Sequence, residues 1–196
     1  MSLRTKRPLP RPTLEELEQE LNRERHRIRY FSTLRSTIYI LITVAAAAIL
    51  VATLWLPTLR IYGSSMTPTL NDGEIVVSLK GSNFTTGDVI AFYYNNKILI
   101  KRVIASSGDW VDISEDGTVY VNGEELIEPY VSEKALGECD LEFPYQVPES
   151  RVFVMGDHRS VSVDSRSSTV GCVAQEQIVG RTVFRAWPLT AFGPIR

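Results

Sequence analysis

Residues 88–104 of the chain read DVIAFYYNNKILIKRVI. Residues 88–94 and 97–104 are rich in β-branched and aromatic side chains, which favour strands. Between them, Asn95-Asn96 is typical of a two-residue hairpin turn, because asparagine tolerates the positive φ angles that such turns need. This stretch therefore predicts two antiparallel strands joined by a tight turn.

Short runs of similar composition occur on both sides of this hairpin, at residues 74–79, 110–113, 118–121, 124–127, 151–155 and 177–186. Asn122-Gly123 is a second hairpin turn. Residues 131–148 show no clear period, and we expect a surface excursion there. Because turn signals recur about every ten residues and no long helical period stands out, the fold class expected for residues 60–196 is mainly antiparallel β.

A stretch without any charge, residues 36–59, precedes the predicted strands. Its centre, Ile38–Leu56, would form an apolar helix roughly 28 Å long, close to the ~30 Å hydrocarbon core of a bilayer. Such a helix is rarely buried in a soluble core, and a cleaved secretory signal has a shorter apolar region followed by small residues. The sequence therefore predicts a single transmembrane anchor over residues 36–59, with Tyr39 and Trp55 near the two lipid interfaces.

The charge distribution predicts how this anchor is oriented. Residues 1–35 hold nine cations against five glutamates, whereas acids outnumber cations in the rest of the chain. The positive-inside rule then places residues 1–35 in the cytoplasm and residues 60–196 outside the cell membrane. Thr13-Leu-Glu-Glu16 has the form of a capping box and predicts a short amphipathic helix. That helix either binds a partner or is simply solvated, its cations fixing the topology.

Length and composition exclude several classes of function. The 196 residues suit one folded domain with an appendage, and the net charge of −2 lacks the basic footprint of nucleic-acid binding. Two cysteines and two histidines are too few for a zinc framework. We expect no nucleic-acid partner, no metal and no cofactor. Cys139 and Cys172 both follow the anchor, so a disulfide is permitted but not required.

Nucleophilic catalysis needs a hydroxyl or thiol beside a base. Beyond the anchor the chain has one histidine, His158, and four lysines, of which only Lys101 has apolar neighbours on both sides over several positions. In a strand Lys101 shares its face with Leu99 and Val103, and a buried ammonium is costly unless it is paired or neutral. Lys101 is therefore a candidate base, although an edge-strand or ion-paired lysine fits the same pattern.

The candidate hydroxyl lies in residues 62–70, YGSSMTPTL. Gly63 permits unusual backbone torsions and Pro68 stiffens the turn, so the loop can hold a serine beside free N–H groups. A third stretch, GDHRSVSVDSR at residues 156–166, contains two Asp, two Arg and three Ser. A plain polar turn often has this composition, so the third stretch alone does not indicate a site.

Together the three stretches resemble the signature boxes of type I signal peptidases, the Ser-Lys leader peptidases of the S26 family, in their compact Gram-positive-like form. The matching motifs are Ser65-Met66-x-Pro68-Thr69-Leu70, Lys101-Arg102-Val103-Ile104, and Gly156-Asp157-x-Arg159-x-x-Ser162-x-Asp164-Ser165-Arg166. The resemblance implies the signal-peptidase β fold. It also implies a membrane-anchored serine endopeptidase that removes N-terminal signal peptides from exported preproteins, bound as an extended strand.

The resemblance further implies roles for individual residues. Ser65 would be the nucleophile, Lys101 its general base, and Ser162 the group that orients the lysine ammonium. The supporting polar network would comprise Arg102, Asp157, Arg159, Asp164 and Arg166. Gly63 stands where some members place a serine that donates to the oxyanion, so here the oxyanion hole would depend on backbone N–H groups, chiefly that of Ser65. Many relatives carry Asn at the position of His158, whose role stays open.

Two other classes fit parts of this pattern. Soluble repressors that cleave themselves share the Ser-Lys arrangement, but they need a DNA-binding module and no anchor. A membrane-tethered β-domain that binds peptides or wall components without catalysis fits the anchor and the strands. Loss of cleavage on Ser65→Ala would separate it from a peptidase. An association with the secretion translocase also stays open at this point.

Overall fold

The computed structural model describes residues 13–81 and 83–195, so the first twelve residues of the predicted basic segment lie outside the described part. The described residues form two compact units that divide after Val51. They contain one long helix, twelve strands and two short 3-10 turns. These are α1 (Leu14–Trp55), β1 (Thr58–Arg60), β2 (Ile75–Leu79), β3 (Val89–Tyr94), β4 (Lys97–Ala105), β5 (Trp110–Ile113), β6 (Val119–Val121), β7 (Glu124–Glu125), β8 (Tyr145–Gln146), β9 (Arg151–Met155), β10 (Val173–Ala174), β11 (Ile178–Trp187) and β12 (Gly193–Pro194), with 3-10 turns at Gln175–Gln177 and Leu189–Ala191.

Helix α1 begins at the predicted capping box. The Thr13 N–H donates to Glu16 Oε2 at 2.9 Å, and the Glu16 N–H donates to Thr13 Oγ1 at 3.4 Å. The helix then continues for 42 residues without a break, where the sequence predicts a short helix and a separate anchor. In the described part of the chain, α1 is the one helix that is long and apolar enough to cross a membrane.

The end of α1 follows from Pro57. A proline disfavours helical torsions in the residue before it and has no N–H to donate. The helix accordingly stops at Trp55, two residues before the proline. Thr58 and Leu59, which the sequence places at the end of the anchor, lie in β1.

The strands form two antiparallel sheets. The larger sheet has the order β1-β2-β11-β3-β4-β9-β10, with β12 beside β11, and the smaller has the order β7-β6-β5-β8. The mainly antiparallel β fold class is therefore confirmed. In the β3–β4 hairpin, Ile90 pairs with Lys101, and Asn95 and Asn96 both have positive φ angles, as the turn predicts.

Strand β4 changes its partners along its length, and this change positions the site. One edge pairs with β3 over the whole of residues 97–102. The other edge pairs with β9, beginning at Arg102. Among the described strands, none pairs with this second edge over residues 97–101. The first half of β4 therefore offers unpaired backbone groups, whereas the second half is internal to the sheet.

Three clusters of buried apolar side chains form the core. One of them supports the loop after β1, because Ile61, Met66 and Leu70 pack there against β2 and β3. A second lies under β4 and β9, where Val103 and Val154 are fully buried and Leu99 packs at the margin. The third fills the space beneath the smaller sheet. The loop that carries Ser65 is therefore fixed by its own apolar residues.

The sequence missed β1, β8, β10 and β12, each of two or three residues. A two-residue alternation cannot be recognised in so short a run. The predicted excursion at residues 131–148 is correct apart from β8, which pairs with β5. Cys139 and Cys172 are both free thiols.

Candidate active site

Ser65 and Lys101 line the same cleft, which has a volume of about 610 Å³. One wall is the chain from Leu59 to Met66, and the other is the first half of β4, residues 97–101. The cleft therefore lies along the unpaired edge of β4. The structure thus brings together two residues that are 36 positions apart in the sequence.

The loop around Ser65 is held by backbone hydrogen bonds on both sides. The Gly63 N–H donates to Asp72 Oδ1 at 2.7 Å, and Gly63 has a φ of 85°, which favours glycine. Downstream, the Leu70 N–H donates to Met66 O at 2.8 Å. The Ser65 N–H donates to no acceptor among the described residues. Because the Gly63 N–H is already engaged, the Ser65 N–H is the better candidate for an oxyanion donor.

Lys101 is only 3% exposed. Burial lowers its pKa from 10.5 to about 8; the carboxylates of Asp164 and Asp157 oppose this shift, and the Arg166 guanidinium adds to it. Its Nζ donates a hydrogen bond to Ser162 Oγ at 2.9 Å. A lysine in this state supplies neutral amine near neutral pH, which an ordinary lysine does not.

Ser162 is in turn fixed by the buried pair of Asp164 and Arg166. Arg166 Nε donates to Asp164 Oδ1 at 2.9 Å, and the Gly156 N–H donates to Asp164 Oδ2 at 2.9 Å. Burial alone would raise the pKa of Asp164, but the hydrogen bonds and charge of Arg166, with a hydrogen bond from Ser162, lower it overall. Asp164 therefore stays ionised beside the lysine.

A second buried ion pair joins β4 to the third stretch. Arg102 Nε and Nη2 donate to the two oxygens of the Asp157 carboxylate, at 2.8 and 2.7 Å. Both side chains are almost completely buried. Arg102 also donates to the carbonyl of Gly87 at 2.6 Å. Lys101 and Arg102, adjacent in sequence, thus serve opposite faces of β4, one in the cleft and one in the polar interior.

Gly156 allows the third stretch to approach Ser65. A methyl group on its Cα would overlap Ser162 Oγ and the carbonyl oxygen of Ser65. Sequence reasoning treated Gly156 only as part of a motif and gave it no role. The structure shows that this position has no room for any side chain, because two site residues occupy the space.

His158 contacts the loop of Ser65. Its N–H donates to the Ser65 carbonyl at 3.1 Å, and its Nδ1 lies 3.0 Å from Thr67 Oγ1. The Thr67 hydroxyl already donates to Ser64 O at 2.8 Å, so the hydrogen between His158 and Thr67 belongs to Nδ1. The carboxylate of Asp157 binds Arg102 instead. A relay through Asp157 and His158 therefore has no support in this geometry.

Two residues at this cluster were missed by sequence reasoning. The carboxylate of Glu128 binds Arg159. The guanidinium carbon of Arg102 lies 3.8 Å from the centre of the Tyr130 ring. One signal was available, since the three motifs contain three arginines but only two aspartates: Arg102, Arg159, Arg166, Asp157 and Asp164. A buried cluster of that composition needs a further carboxylate. Nothing in the sequence indicates which of the many acids supplies it.

The polar cluster includes every residue predicted for the supporting network. Arg159 donates from Nε to the Gly156 carbonyl at 3.0 Å, and its own carbonyl accepts from Arg166 Nη2 at 2.9 Å. Among the described residues, no group of three or more His, Cys, Asp or Glu side chains is arranged to hold a metal ion. The chemistry that this arrangement supports is nucleophilic attack by a hydroxyl with an amine as base.

Comparisons with known proteins identify the family of this chain. Residues 34–187 match the family model described as "Signal peptidase, peptidase S26". The chain is 36% identical over 162 residues to signal peptidase I of Bacillus licheniformis, covering 76% of this chain and 86% of that protein. It is 38% identical over 152 residues to signal peptidase IB of Staphylococcus aureus (strain COL), covering 67% and 78%.

Two further similarities extend over less of one chain or the other. Thylakoidal processing peptidase 1 of Arabidopsis thaliana is 38% identical over 142 residues, which cover 64% of this chain but only 40% of that protein. The crystal structure of a signal peptidase I from Enterococcus faecalis V583 is 30% identical, with a TM-score of 0.42, over 51% of this chain and 97% of that one.

The family and its relatives make this protein a serine-type endopeptidase, and the antiparallel β fold and the cleft lined by a serine and a buried lysine suit that class. The family model covers most of the chain, and the bacterial relatives match it over two thirds or more of its length. The chain belongs to the signal peptidase family, peptidase S26. The resemblance inferred from the three stretches is confirmed. Family membership also favours an enzyme over the non-catalytic β-domain that the sequence left open.

Proposed function

We propose that this enzyme removes N-terminal signal peptides from exported preproteins, with Ser65 as the nucleophile and Lys101 as its general base. The observation that supports this proposal best is that Ser65 lines a cleft with a lysine that is 3% exposed and has a pKa of about 8. Membership of the signal peptidase family supplies the substrate class.

The chemistry proceeds in two halves. Neutral Lys101 accepts the Ser65 hydroxyl proton while Ser65 Oγ attacks the scissile carbonyl carbon, and the Ser65 N–H stabilises the oxyanion. Protonated Lys101 then gives its proton to the leaving amine, which leaves an acyl-enzyme on Ser65. A water molecule, deprotonated by Lys101, then attacks that ester; the carboxylic acid product leaves, and protonated Lys101 returns the proton to Ser65 Oγ. Ser162 Oγ, 2.9 Å from Nζ, keeps the amine in place throughout.

The lowered pKa of Lys101 makes this base available. At pH 7 a lysine of pKa about 8 is neutral in roughly one molecule in ten, whereas a lysine of pKa 10.5 is neutral in roughly one in three thousand. The difference in the concentration of active base is therefore on the order of several hundred-fold. Desolvation by the surrounding strands is the main source of this gain.

The unpaired edge of β4 accounts for how the substrate binds. Backbone groups of residues 97–101 have no strand partner on that edge among the described residues. An extended peptide can add to such an edge as a further strand, with main-chain hydrogen bonds supplying affinity. The edge ends at Lys101, so a peptide bound there passes the base. The preprotein would therefore lie along the cleft as an added strand.

Helix α1 supports anchoring in the cell membrane. We infer that its uncharged part spans the bilayer, with residues 1–35 in the cytoplasm and residues 60–196 outside. Ser65 is nine residues beyond Leu56, at most ~30 Å of extended chain. A signal peptide is held in the same bilayer, so the anchor raises the effective concentration of the two partners.

Cleavage of one preprotein by the full-length enzyme in detergent micelles tests the proposal. Ser65→Ala and Lys101→Arg should each lower kcat/KM by on the order of 10³-fold or more, because arginine cannot lose its proton in the working range. Ser64→Ala and Lys80→Arg are controls, since Ser64 is an exposed neighbour of Ser65 and Lys80 is an exposed lysine that does not line the cleft. Appreciable cleavage by a folded Ser65→Ala or Lys101→Arg variant would contradict the proposal.

A further inference from the structure

Glu128 carries a buried carboxylate although its two neighbours in the sequence, Ile127 and Pro129, are exposed. The preceding residue, Ile127, is 86% exposed, whereas the side chain of Glu128 is 1% exposed. Both of its oxygens accept hydrogen bonds from Arg159, including one from Nη1 to Oε2 at 2.9 Å. A carboxylate this deeply buried is stable only because the guanidinium pairs with it in a bidentate geometry.

Tyr130 joins Glu128 to the second buried arginine. Its hydroxyl donates to Glu128 Oε1 at 3.0 Å, and the centre of its ring lies 3.8 Å from the guanidinium carbon of Arg102. Burial, together with the negative charge of Glu128, raises the pKa of Tyr130 above its ordinary value. The phenol therefore stays protonated and keeps its hydrogen bond to Glu128 over the whole working range of pH.

Arg159 and Arg102 each bind a group that contacts or acts on a residue of the cleft. Arg159 Nε donates to the carbonyl of Gly156, and Gly156 is in close contact with the Ser65 carbonyl and with Ser162. Arg102 binds the Asp157 carboxylate, which is one of the charges that act on Lys101. A displacement of either guanidinium would therefore change the position of Ser65, the charge environment of Lys101, or both.

The charge balance of the buried cluster also requires Glu128. The buried guanidiniums of Arg102, Arg159 and Arg166 face only two aspartates from the motifs, Asp157 and Asp164. Glu128 supplies the third carboxylate and makes the cluster neutral. Without it one guanidinium beside the site would be unpaired, and an added positive charge near an ammonium disfavours its protonated form.

We propose that Glu128 and Tyr130 are positioning residues for this active site, which hold Arg159 and Arg102 and so set the geometry around Ser65 and the charge around Lys101. This inference rests on the proposed function. It assigns a positioning role to the segment between β7 and β8, none of whose described residues lines the cleft.

The test compares Glu128→Gln with Glu125→Gln in preprotein cleavage by the full-length enzyme. Glu125 pairs with Lys134 at 3.2 Å on the surface, so the control removes the same charge from an exposed ion pair nearby. Per folded molecule, Glu128→Gln should lower kcat about 10- to 100-fold with KM changed less than about threefold.

The pH profile distinguishes a positioning role from general destabilisation. The groups that act on Lys101 are Asp164, Asp157 and Arg166, with Ser162 as its hydrogen-bond acceptor. Removing the negative charge of Glu128 leaves the cluster more positive, so the midpoint of kcat/KM should move to lower pH by roughly half a unit or more. Glu128→Asp keeps the charge but is one methylene shorter, so it should lower kcat about fivefold or more without moving the midpoint.

Three outcomes decide the matter. The proposal is overturned if kcat of Glu128→Gln is within threefold of the Glu125→Gln control, or if its midpoint equals that of the unmodified enzyme. If Glu128→Gln does not fold, Glu128→Asp decides alone, and a kcat within threefold of the control overturns the proposal. Ser65→Ala is included throughout, because cleavage by that variant would refute the proposed function itself, whatever Glu128 does.

Discussion

Helix α1 and the polar cluster of the β-domain place their side chains in opposite ways. In α1 no residue is buried, and apolar side chains such as Ile40, Leu41 and Ile49 are exposed. In the β-domain Arg102, Arg159 and Arg166 are among the largest fully buried side chains. Exposed apolar surface of that length suits a membrane anchor, and buried charge indicates a site that must hold polar groups in fixed positions.

The two regions also differ in how their ion pairs contribute. On α1, Arg23 and Glu20 are 3.7 Å apart and largely exposed, so solvent screens their attraction. In the β-domain, Arg102 and Asp157 are 2.7 Å apart and almost fully buried. Breaking such a pair leaves an uncompensated charge in the interior. Three predictions test this contrast.

The largest expected effect is on stability. Asp157→Asn should lower the free energy of unfolding by about 3–5 kcal/mol, because it leaves Arg102 buried without its counter-ion. Glu20→Gln, the matched change in an exposed pair of α1, should leave the unfolding midpoint unchanged. Denaturant unfolding in detergent, followed by tryptophan fluorescence, measures both. Equal midpoints for the two variants would show that the buried pair contributes no more than the exposed one.

The next effect is on the pH dependence of cleavage. Lys101 must be neutral to act as a base, and its pKa is lowered to about 8 by burial. The value of kcat/KM should therefore rise about tenfold per pH unit below pH 8 and level off above it. Steady-state cleavage of a preprotein between pH 6 and 10 gives this profile. A midpoint near 10.5 would show that the lysine is not desolvated in solution.

The smallest effect concerns His158. An asparagine at this position can still donate to Thr67 Oγ1, so His158→Asn should keep kcat/KM within about threefold. His158→Ala leaves Thr67 without that donor and should cost roughly tenfold. Neither variant should move the pH midpoint, because the charges that act on Lys101 are those of Asp164, Asp157 and Arg166 and not that of His158. A shifted midpoint, or a loss in His158→Asn as deep as that in Ser65→Ala, would make His158 the base.

Much of the fold was predictable from local patterns. Runs rich in β-branched and aromatic residues and an Asn-Asn turn predicted β3 and β4, and an uncharged apolar run predicted the helix that includes Ile38–Trp55. The continuous extension of α1 back to Leu14 was not predicted. The sequence contains no signal that shows whether the polar helix after Thr13 and the apolar anchor form one helix or two. The short strands were missed because pairing with a neighbour, rather than their own sequence, creates them.

The candidate site was predictable to the extent that its motifs are local. Ser65, Lys101 and Ser162 come from three such motifs, and the structure places Ser65 and Lys101 in one cleft and hydrogen-bonds Lys101 to Ser162. Their chemical roles stay predictions until the variants are measured. Glu128 could not be found in this way. Its importance depends on two arginines that are distant in the sequence, and one glutamate among many has no pattern of its own.

The β3–β4 hairpin has a consequence for protein engineering. Its turn, Asn95-Asn96, contributes nothing to the cleft, yet its length sets the register in which Ile90 faces Lys101. Successive residues of a strand point to opposite faces, so a slip of one residue would exchange the lysine for Arg102 at the cleft. The length of the turn thus determines which side chain of β4 faces the cleft. In redesigning this enzyme, the number of residues in that loop is less free to vary than their identity.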